Sequence, residues 1–461
     1  MPMRDAACAA GVSRGFLHSW GSFPNLIFDI ETLGINEDDH KIDEITTDFI
    51  TRVDRIMQNH SGIGVKIFRL RTYHCATAIP CPTERSATSA NVHPSYVDRW
   101  LQVAITPGIE EFELQMPWQN KIEYKFPCSL LSTERGRSMQ SFSLSDCAFH
   151  PALEVGCLSS LKCVRLSSVH ITGEELCGFL SKSLALEQLD LHECKGIPYV
   201  LLQLNCLYVQ ECVMLELIES DAPNLSMFCY TGRPIHLSLG YPLRLRHIQM
   251  ISSESNMLYC ASAKLPSVAP NLQTLFLTSR YEVVNTPMVL GKFTHLKYLE
   301  IVLIKPNQSP NYDFCSLVSF LDGAPSLETF ILRIEFLAIR HDSILEYPDY
   351  SLLHPRCLPQ QRHDNLKNVL ITGFCSAKSM VELTNHILGN APALEYLTLD
   401  TSRGHERKIG KSSICKHVSE EELVEVQRAR LAIVRYVKGN VPSTVNLKLI
   451  EPCSKCLSSR V

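Results

Sequence analysis

Four copies of one nine-residue phrase constrain this chain more than any other feature. They read Ala222-Pro-Asn-Leu-Ser-Met-Phe-Cys-Tyr230, Ala269-Pro-Asn-Leu-Gln-Thr-Leu-Phe-Leu277, Ala324-Pro-Ser-Leu-Glu-Thr-Phe-Ile-Leu332 and Ala391-Pro-Ala-Leu-Glu-Tyr-Leu-Thr-Leu399. Each has the form Ala-Pro-x-Leu-x-x-apolar-x-apolar. Proline fixes φ and lacks the N–H that a helix interior needs, so it ends the helix expected before it. The spaced apolar residues then specify a turn and a short strand whose alternate side chains face one way. A repeated helix–breaker–strand unit builds a solenoid, in which each unit packs on its neighbours and the array presents a long binding surface.

Weaker copies fill the gaps. Met139-x-x-Phe142-x-Leu144-x-x-Cys147, Leu161-x-x-Val164-x-Leu166, Leu186-x-x-Leu189-x-Leu191-x-x-Cys194 and Leu204-x-x-Leu207-x-Val209-x-x-Cys212 follow the leucine-rich-repeat template, three of them with cysteine at its Asn/Cys position. Leu245-x-x-Ile248-x-Met250, Leu296-x-x-Leu299-x-Ile301 and Leu366-x-x-Val369-x-Ile371 continue the series, and Ile109-x-x-Phe112-x-Leu114 begins it. The residue between the last two apolar positions falls at 113, 143, 165, 190, 208, 229, 249, 276, 300, 331, 370 and 398. The mean spacing is about 26, inside the leucine-rich range of roughly 20–29, although single gaps run from about 18 to 39. The fold predicted is an α/β leucine-rich-repeat solenoid, a curved horseshoe of short parallel strands and helices, with the repeats over 106–400.

Composition sets limits on function. A formal net charge of −4 provides no global basic footprint of the kind nucleic-acid binders carry. Met1-Pro-Met-Arg-Asp5 opens no apolar leader, and no apolar run approaches membrane-spanning length. The expectation is a soluble protein of the cytoplasm and/or nucleus, with the Asn-x-Ser sequons at Asn59, Asn224 and Asn307 unused. Nineteen cysteines are then expected reduced, and Cys147, Cys194 and Cys212 act as small buried residues of the repeat. Cys453-Ser-Lys-Cys456 is the one CxxC and has no second pair at zinc-finger spacing. No metal and no cofactor are expected.

The flanks of the array read differently. Over 41–105 two helix–strand units lead in, the first with an apolar stripe of Ile45, Phe49, Ile50, Val53, Ile56 and Met57, a turn at Ser61-Gly-Ile-Gly64 and a strand over Val65–Leu70. Residues 75–94 read as an exposed loop. Arg403–Lys411 reads as a polar basic loop. Ser419-Glu-Glu-Glu422 reads as a capping box, opening a helix to about Val437 that hands over to a strand near Val445–Leu449. This last unit is expected to cover the exposed end of the repeats.

Arg4–Trp20 reads as a short alanine-rich helix and a second helical turn. Its sequence, Met3-Arg-Asp-Ala-Ala-Cys-Ala-Ala-Gly-Val-Ser-Arg-Gly-Phe-Leu-His-Ser-Trp-Gly-Ser-Phe-Pro-Asn-Leu26, resembles the second half of a plant F-box. The rest of the chain is similar to the plant F-box proteins that carry leucine-rich repeats and a C-terminal FBD-type region. Asn59–Lys66, Val97–Leu101, Phe126–Leu130 and Ser168–Gly173 occur in that order and carry the likeness along the chain. The resemblance implies an F-box-like helical segment over 1–25 and an FBD-like terminal unit over 376–450. It also implies a substrate-recognition subunit of a Skp–cullin–F-box ubiquitin ligase, docked on a Skp-type adaptor, with Phe16, Leu17 and Trp20 as adaptor contacts. The upstream Leu-Pro-x-x-Ile/Leu-Leu half of the F-box does not precede Met1 in this sequence. The alternative expectation is therefore a free-standing leucine-rich-repeat binding module with no ligase link.

Between the apolar strand positions lies the expected binding ladder. Tyr208, Phe276, Tyr298 and Tyr396 are the expected anchors for a target protein, with Arg165 and Asp190 beside them, because exposed aromatics and arginine dominate protein-binding hot spots. The competing expectation is that loops fold over this face and bury Phe276, Ile331 and Leu370. Phosphate recognition inside the curve would need clustered Arg and Lys, and the central ladder has Arg165 alone. Catalysis finds no Gly-x-Ser-x-Gly elbow, His-Glu-x-x-His helix or Walker loop. His170 and His192 near the strands lack an evident nucleophile or carboxylate constellation, so no enzyme activity is expected.

Overall fold

The computed structural model describes residues 21–35, 42–72, 92–117, 123–151, 155–202, 204–220, 223–240, 242–282, 291–304, 312–335, 339–346, 358, 361–402 and 419–452. The chain falls into two compact units, Met1–Ala222 with Ile235–Leu239, and Pro223–Pro234 with Gly240–Val461. The expected F-box-like helices, including Phe16, Leu17 and Trp20, lie outside the described residues, as do most of the 75–94 loop and the basic loop after Ser402.

The first unit runs β1 (Asn25–Phe28), α1 (Ile42–Asn59), β2 (Ile67–Arg71), α2 (Pro94–Ala104), β3 (Glu111–Gln115), β4 (Ser141–Ser145), β5 (Cys163–Ser167), α3 (Gly173–Leu180), β6 (Gln188–His192), β7 (Tyr199–Leu202), β8 (Cys206–Gln210) and β9 (Leu217–Ser220). Strands β1 to β6 and then β8 pair side by side, all parallel and in register. Because side chains alternate along each strand, the register gathers equivalent positions into rows. One inward row stacks Phe68 on Phe112 at 5.8 Å and Phe112 on Phe142 at 5.6 Å, and Phe28 of the adjoining row meets Phe68 edge-on at 6.0 Å. Phe149 and Phe179 close it from outside at 5.1 Å from one another. Of the predicted α1 stripe, Ile45, Phe49, Val53 and Met57 are buried, one residue per helical turn, while Ile50 and Ile56 are part-buried.

A single turn recurs where the chain leaves β4, β5, β6 and β8. The first residue past each strand, Asp146, Ser168, Glu193 and Glu211, has φ between 48° and 57°. That left-handed step reverses the chain and drops the next residue into the core: Cys147, Val169, Cys194 or Cys212, each at most 5% exposed. The Cys194 thiol donates to the Leu166 carbonyl at 3.3 Å. The cysteine position of the repeat is therefore a buried turn position, and the twelve described cysteines are free thiols.

In the closely spaced repeats from 190 to 249 the outer segments are strands. β7, β9 and β11 (His236–Ser238, which comes after β10, Met227–Gly232, of the second unit) form a small parallel sheet with β9 in the middle. This corrects the expectation of a helix before each Ala-Pro: the segment preceding Ala222 is β9. The reason is length. A strand advances about 3.3 Å per residue and a helix about 1.5 Å, so only a strand spans the outer layer in so few residues.

The second unit contains β10, β12 (His247–Ser255), α4 (Met257–Val268), β13 (Thr274–Tyr281), β14 (Tyr298–Leu303), α5 (Val318–Gly323), β15 (Thr329–Ile334), β16 (Asn368–Thr372), α6 (Lys378–Asn390), β17 (Tyr396–Asp400), α7 (Glu420–Ala432) and β18 (Asn446–Ile450). From β10 through β12 to β18 each strand pairs in parallel with the next. Here the Ala-Pro phrase acts as expected. Ala269, Ala324 and Ala391 cap α4, α5 and α6, and their carbonyls accept the N–H of Leu272, Leu327 and Leu394 at 3.1–3.2 Å. All twelve predicted marker positions lie within strands.

The terminal unit also follows its signature. Ser419 Oγ accepts the Glu422 N–H at 3.3 Å while Glu422 Oε2 accepts the Ser419 N–H at 2.9 Å. The helix continues past Ala432 as one π-turn over Ile433–Val437 before β18. Glu425 on α7 is fully buried, and its carboxylate accepts the main-chain N–H of Arg340 at 3.0 Å and of Ser376 at 2.6 Å. One side chain thus ties the terminal helix to two preceding segments. Among the described residues no helix is long and apolar enough to cross a membrane.

Candidate protein-binding faces

In each unit the residues between the inward-facing rows form a strand face turned away from the core. In the first unit its central row reads Arg69, Glu113, Ser143, Arg165, Asp190 and Tyr208 on β2 to β6 and β8. Arg69 bonds Glu111 at 2.7 Å, and Arg71 meets Glu113 with two bonds, at 2.6 and 2.9 Å. Arg165 Nε donates to Asp190 at 3.1 Å, and the Gln188 amide donates to the same carboxylate at 3.0 Å. Partial burial raises the Asp190 pKa, outweighing the opposing pull of Gln188 and Arg165. Such part-exposed pairs each stabilise by at most about 1 kcal/mol. Their consequence is a patterned surface in which each of these arginines is matched to an acid.

In the second unit the face is aromatic. His247, Phe276 and Tyr298 come from β12, β13 and β14 and stack as a short ladder, with centroids 5.3 Å and 5.2 Å apart. Tilted ring pairs of this kind stabilise by about 0.5–1.5 kcal/mol beyond the area they bury. The Tyr298 hydroxyl donates to Glu300 Oε2 at 2.6 Å, and Glu300 Oε1 accepts from Arg333 Nε at 2.6 Å. Desolvation, then the Glu300 bond, raises the Tyr298 pKa, so the phenol stays protonated. Burial lowers the His247 pKa, which keeps that imidazole neutral and apolar-faced at pH 7. A row of rings backed by one acid and one arginine offers flat apolar area with fixed polar ends, the combination that anchors protein partners.

A family model described as At1g61320/AtMIF1, LRR domain, matches residues 56–454. The chain belongs to that LRR family. No curated protein matches it. The match runs through both units and agrees with the parallel strands and turns described above. An LRR domain is a protein-interaction module.

The LRR register brings some expected contacts together and separates others. Arg165, Asp190 and Tyr208 are consecutive in one row of the first unit. Phe276 and Tyr298 are neighbours in the second. Tyr396, 52% exposed, lies in the same row as Tyr298 but three strands further along, outside the ring ladder. Phe276, Ile331 and Leu370 are half-buried, and none is part of the core. His247 was not among the expected contacts, yet it stands two residues before Gln249 as Tyr298 stands two before Glu300. The same offset would have found it. His192 is buried with its Nδ1 3.2 Å from Ser167 Oγ, and His170 lies exposed, 3.6 Å from Glu123.

Proposed function

We propose that this chain is the substrate-recognition subunit of a Skp–cullin–F-box-type ubiquitin ligase. Its strand faces hold the protein to be modified, with Tyr208, Arg165 and Asp190 on one unit and Phe276, Tyr298 and Tyr396 on the other. The observation that carries this reading is the F-box-like stretch over Met3–Leu26, joined to a chain of the LRR family. Phe16, Leu17 and Trp20 dock on a Skp-type adaptor, and the 376–450 segment serves as an FBD-type end unit. The subunit is non-catalytic, and ubiquitin transfer belongs to other members of the complex.

The test is a pull-down of the chain with a plant Skp-type adaptor, beside a version lacking residues 1–20. That deletion spares β1 and the bond from the Ser61 N–H to the Gly21 carbonyl at 2.8 Å, so the repeats keep their first strand. Binding by the full chain that disappears on deletion supports the receptor reading. Absence of binding by the full chain rejects it and leaves an LRR binding module with no ligase link.

A further inference from the structure

In the second unit three polar side chains meet where the repeat is otherwise apolar. Asp322 comes from α5, His363 from the turn before β16, and His386 from α6, so three successive repeats each supply one group. They are 4%, 5% and 9% exposed. One donor atom from each lies within 4.8 Å of the other two. Asp322 Oδ1, His363 Nε2 and His386 Nε2 are all buried without a hydrogen-bond partner. His363 Nε2 lies 3.8 Å from Asp322 Oδ1, beyond hydrogen-bond reach.

Such a grouping is costly unless something satisfies it. A buried polar group without a partner is destabilising, and three aimed at one point require a shared explanation. His363 sharpens the case, because its carbonyl accepts the Leu366 N–H at 3.2 Å as Ala324 and Ala391 accept from Leu327 and Leu394. It therefore occupies the alanine position of the Ala-Pro-x-Leu turn. A small apolar residue suffices there in the neighbouring repeats, and here a ligating side chain replaces it.

We infer that Asp322, His363 and His386 form a binding site for one divalent transition-metal ion of the zinc type. Two imidazoles and a carboxylate are a donor set suited to such ions. A neutral imidazole carries the lone pair a metal needs. Donors around one tetrahedral ion stand about 3.4 Å apart at bond lengths of about 2.0–2.2 Å. Small side-chain rotations thus draw these three in, on a backbone already held by the Asn390 carbonyl accepting the His363 N–H at 2.8 Å. Ligation through His386 Nε2 leaves the proton on Nδ1. The Asn390 side-chain amide, now with Nδ2 3.3 Å from Nδ1 and 2.9 Å from the His386 carbonyl, then turns its oxygen to Nδ1. The ion pins three repeats together and serves structure. The short-range spacing of known metal motifs could not reveal it, and it departs from the expectation of no metal.

The test uses the full chain, with Cys453→Ser and Cys456→Ser to remove a competing thiolate pair and any affinity tag cleaved. Zinc is measured after equilibrium dialysis, and the unfolding midpoint is read with and without zinc. The parent is expected to hold one zinc per chain more than His363→Ala or Asp322→Asn. Its midpoint is expected to rise by about 5 °C at a hundredfold excess over Kd while theirs stay fixed. His363→Ala restores the residue the repeat carries at 324 and 391, so this variant folds. As a second readout, cobalt(II) loading of the parent gives a nitrogen/oxygen-ligated spectrum without thiolate charge-transfer bands. Equal zinc in parent and His363→Ala, a midpoint indifferent to zinc, or a thiolate spectrum overturns the proposal.

Discussion

Glu425 is the side chain on which attachment of the terminal helix most depends. It is fully buried, and its two carboxylate oxygens accept from the Arg340 and Ser376 main-chain N–H groups. Arg340 is itself buried and held by Asp342 through two bonds at 2.8 and 2.9 Å, so its segment has little freedom to find another acceptor. Glu425→Ala leaves two buried N–H groups unpaired, each costing about 1–3 kcal/mol, for a total of roughly 4 kcal/mol. Glu425→Gln keeps the volume and one acceptor but turns an NH2 toward the second N–H, costing roughly 2 kcal/mol. Amide hydrogen exchange reads this locally. At about 1.4 kcal/mol per tenfold, protection at Arg340 and Ser376 is expected to fall roughly a thousandfold in the alanine variant and roughly thirtyfold in the glutamine variant. Exchange in β4 of the first unit is expected to stay unchanged. A fall of less than tenfold at both amides in Glu425→Ala would refute the clamp.

Other substitutions test the turns and caps. Gly373 has φ +68°, and a Cβ there would lie 2.2 Å from the Ile334 carbonyl oxygen, so Gly373→Ala is expected to destabilise by about 3 kcal/mol or more in urea unfolding. Ser419→Ala removes one half of the capping box and is expected to cost about 1 kcal/mol, with fraying of the first turn of α7 in exchange. His60 is buried, with Nε2 2.9 Å from the Phe23 carbonyl and Nδ1 accepting the Gly62 N–H at 2.9 Å. Desolvation lowers its pKa below the ordinary 6.5 despite the opposing Phe23 bond. Protonation would remove the acceptor at Nδ1. Its contribution to stability is therefore present above pH 6.5 and lost as pH falls toward the folded-state value. An NMR titration of His60 giving a pKa above 6.5 would contradict this.

What the sequence discloses depends on whether a feature repeats. The Leu-x-x-apolar-x-apolar spacing places all twelve markers in strands because each copy imposes the same alternation. The Ser419 capping box is equally legible, since both partners lie within one turn. The β7–β9–β11 sheet is hidden because chain length, and not residue type, selects strand over helix in those repeats. Glu425 reads as an exposed helix residue until the fold brings Arg340 and Ser376 to it from 85 and 49 residues away. The Asp322, His363 and His386 cluster is hidden for the same reason. Of the faces, the placement of Phe276 and Tyr298 on the strand face comes directly from repeat position. The pairing of Arg69 and Arg71 with Glu111 and Glu113 emerges only when β2 is placed beside β3.

The central claim is that the main-sheet strand face holds a partner protein. The most direct measurement is site-specific photo-crosslinking in plant cells, with a photoreactive phenylalanine at Tyr298 or at Tyr208 and a control at Leu184, 87% exposed outside the strands. Crosslinks to the same discrete protein from Tyr298 and Tyr208, absent from Leu184 and lost when Phe276→Ala is combined with Tyr298 labelling, are the predicted result. Crosslinks from Leu184 alone, with the two strand-face positions silent, would contradict the account.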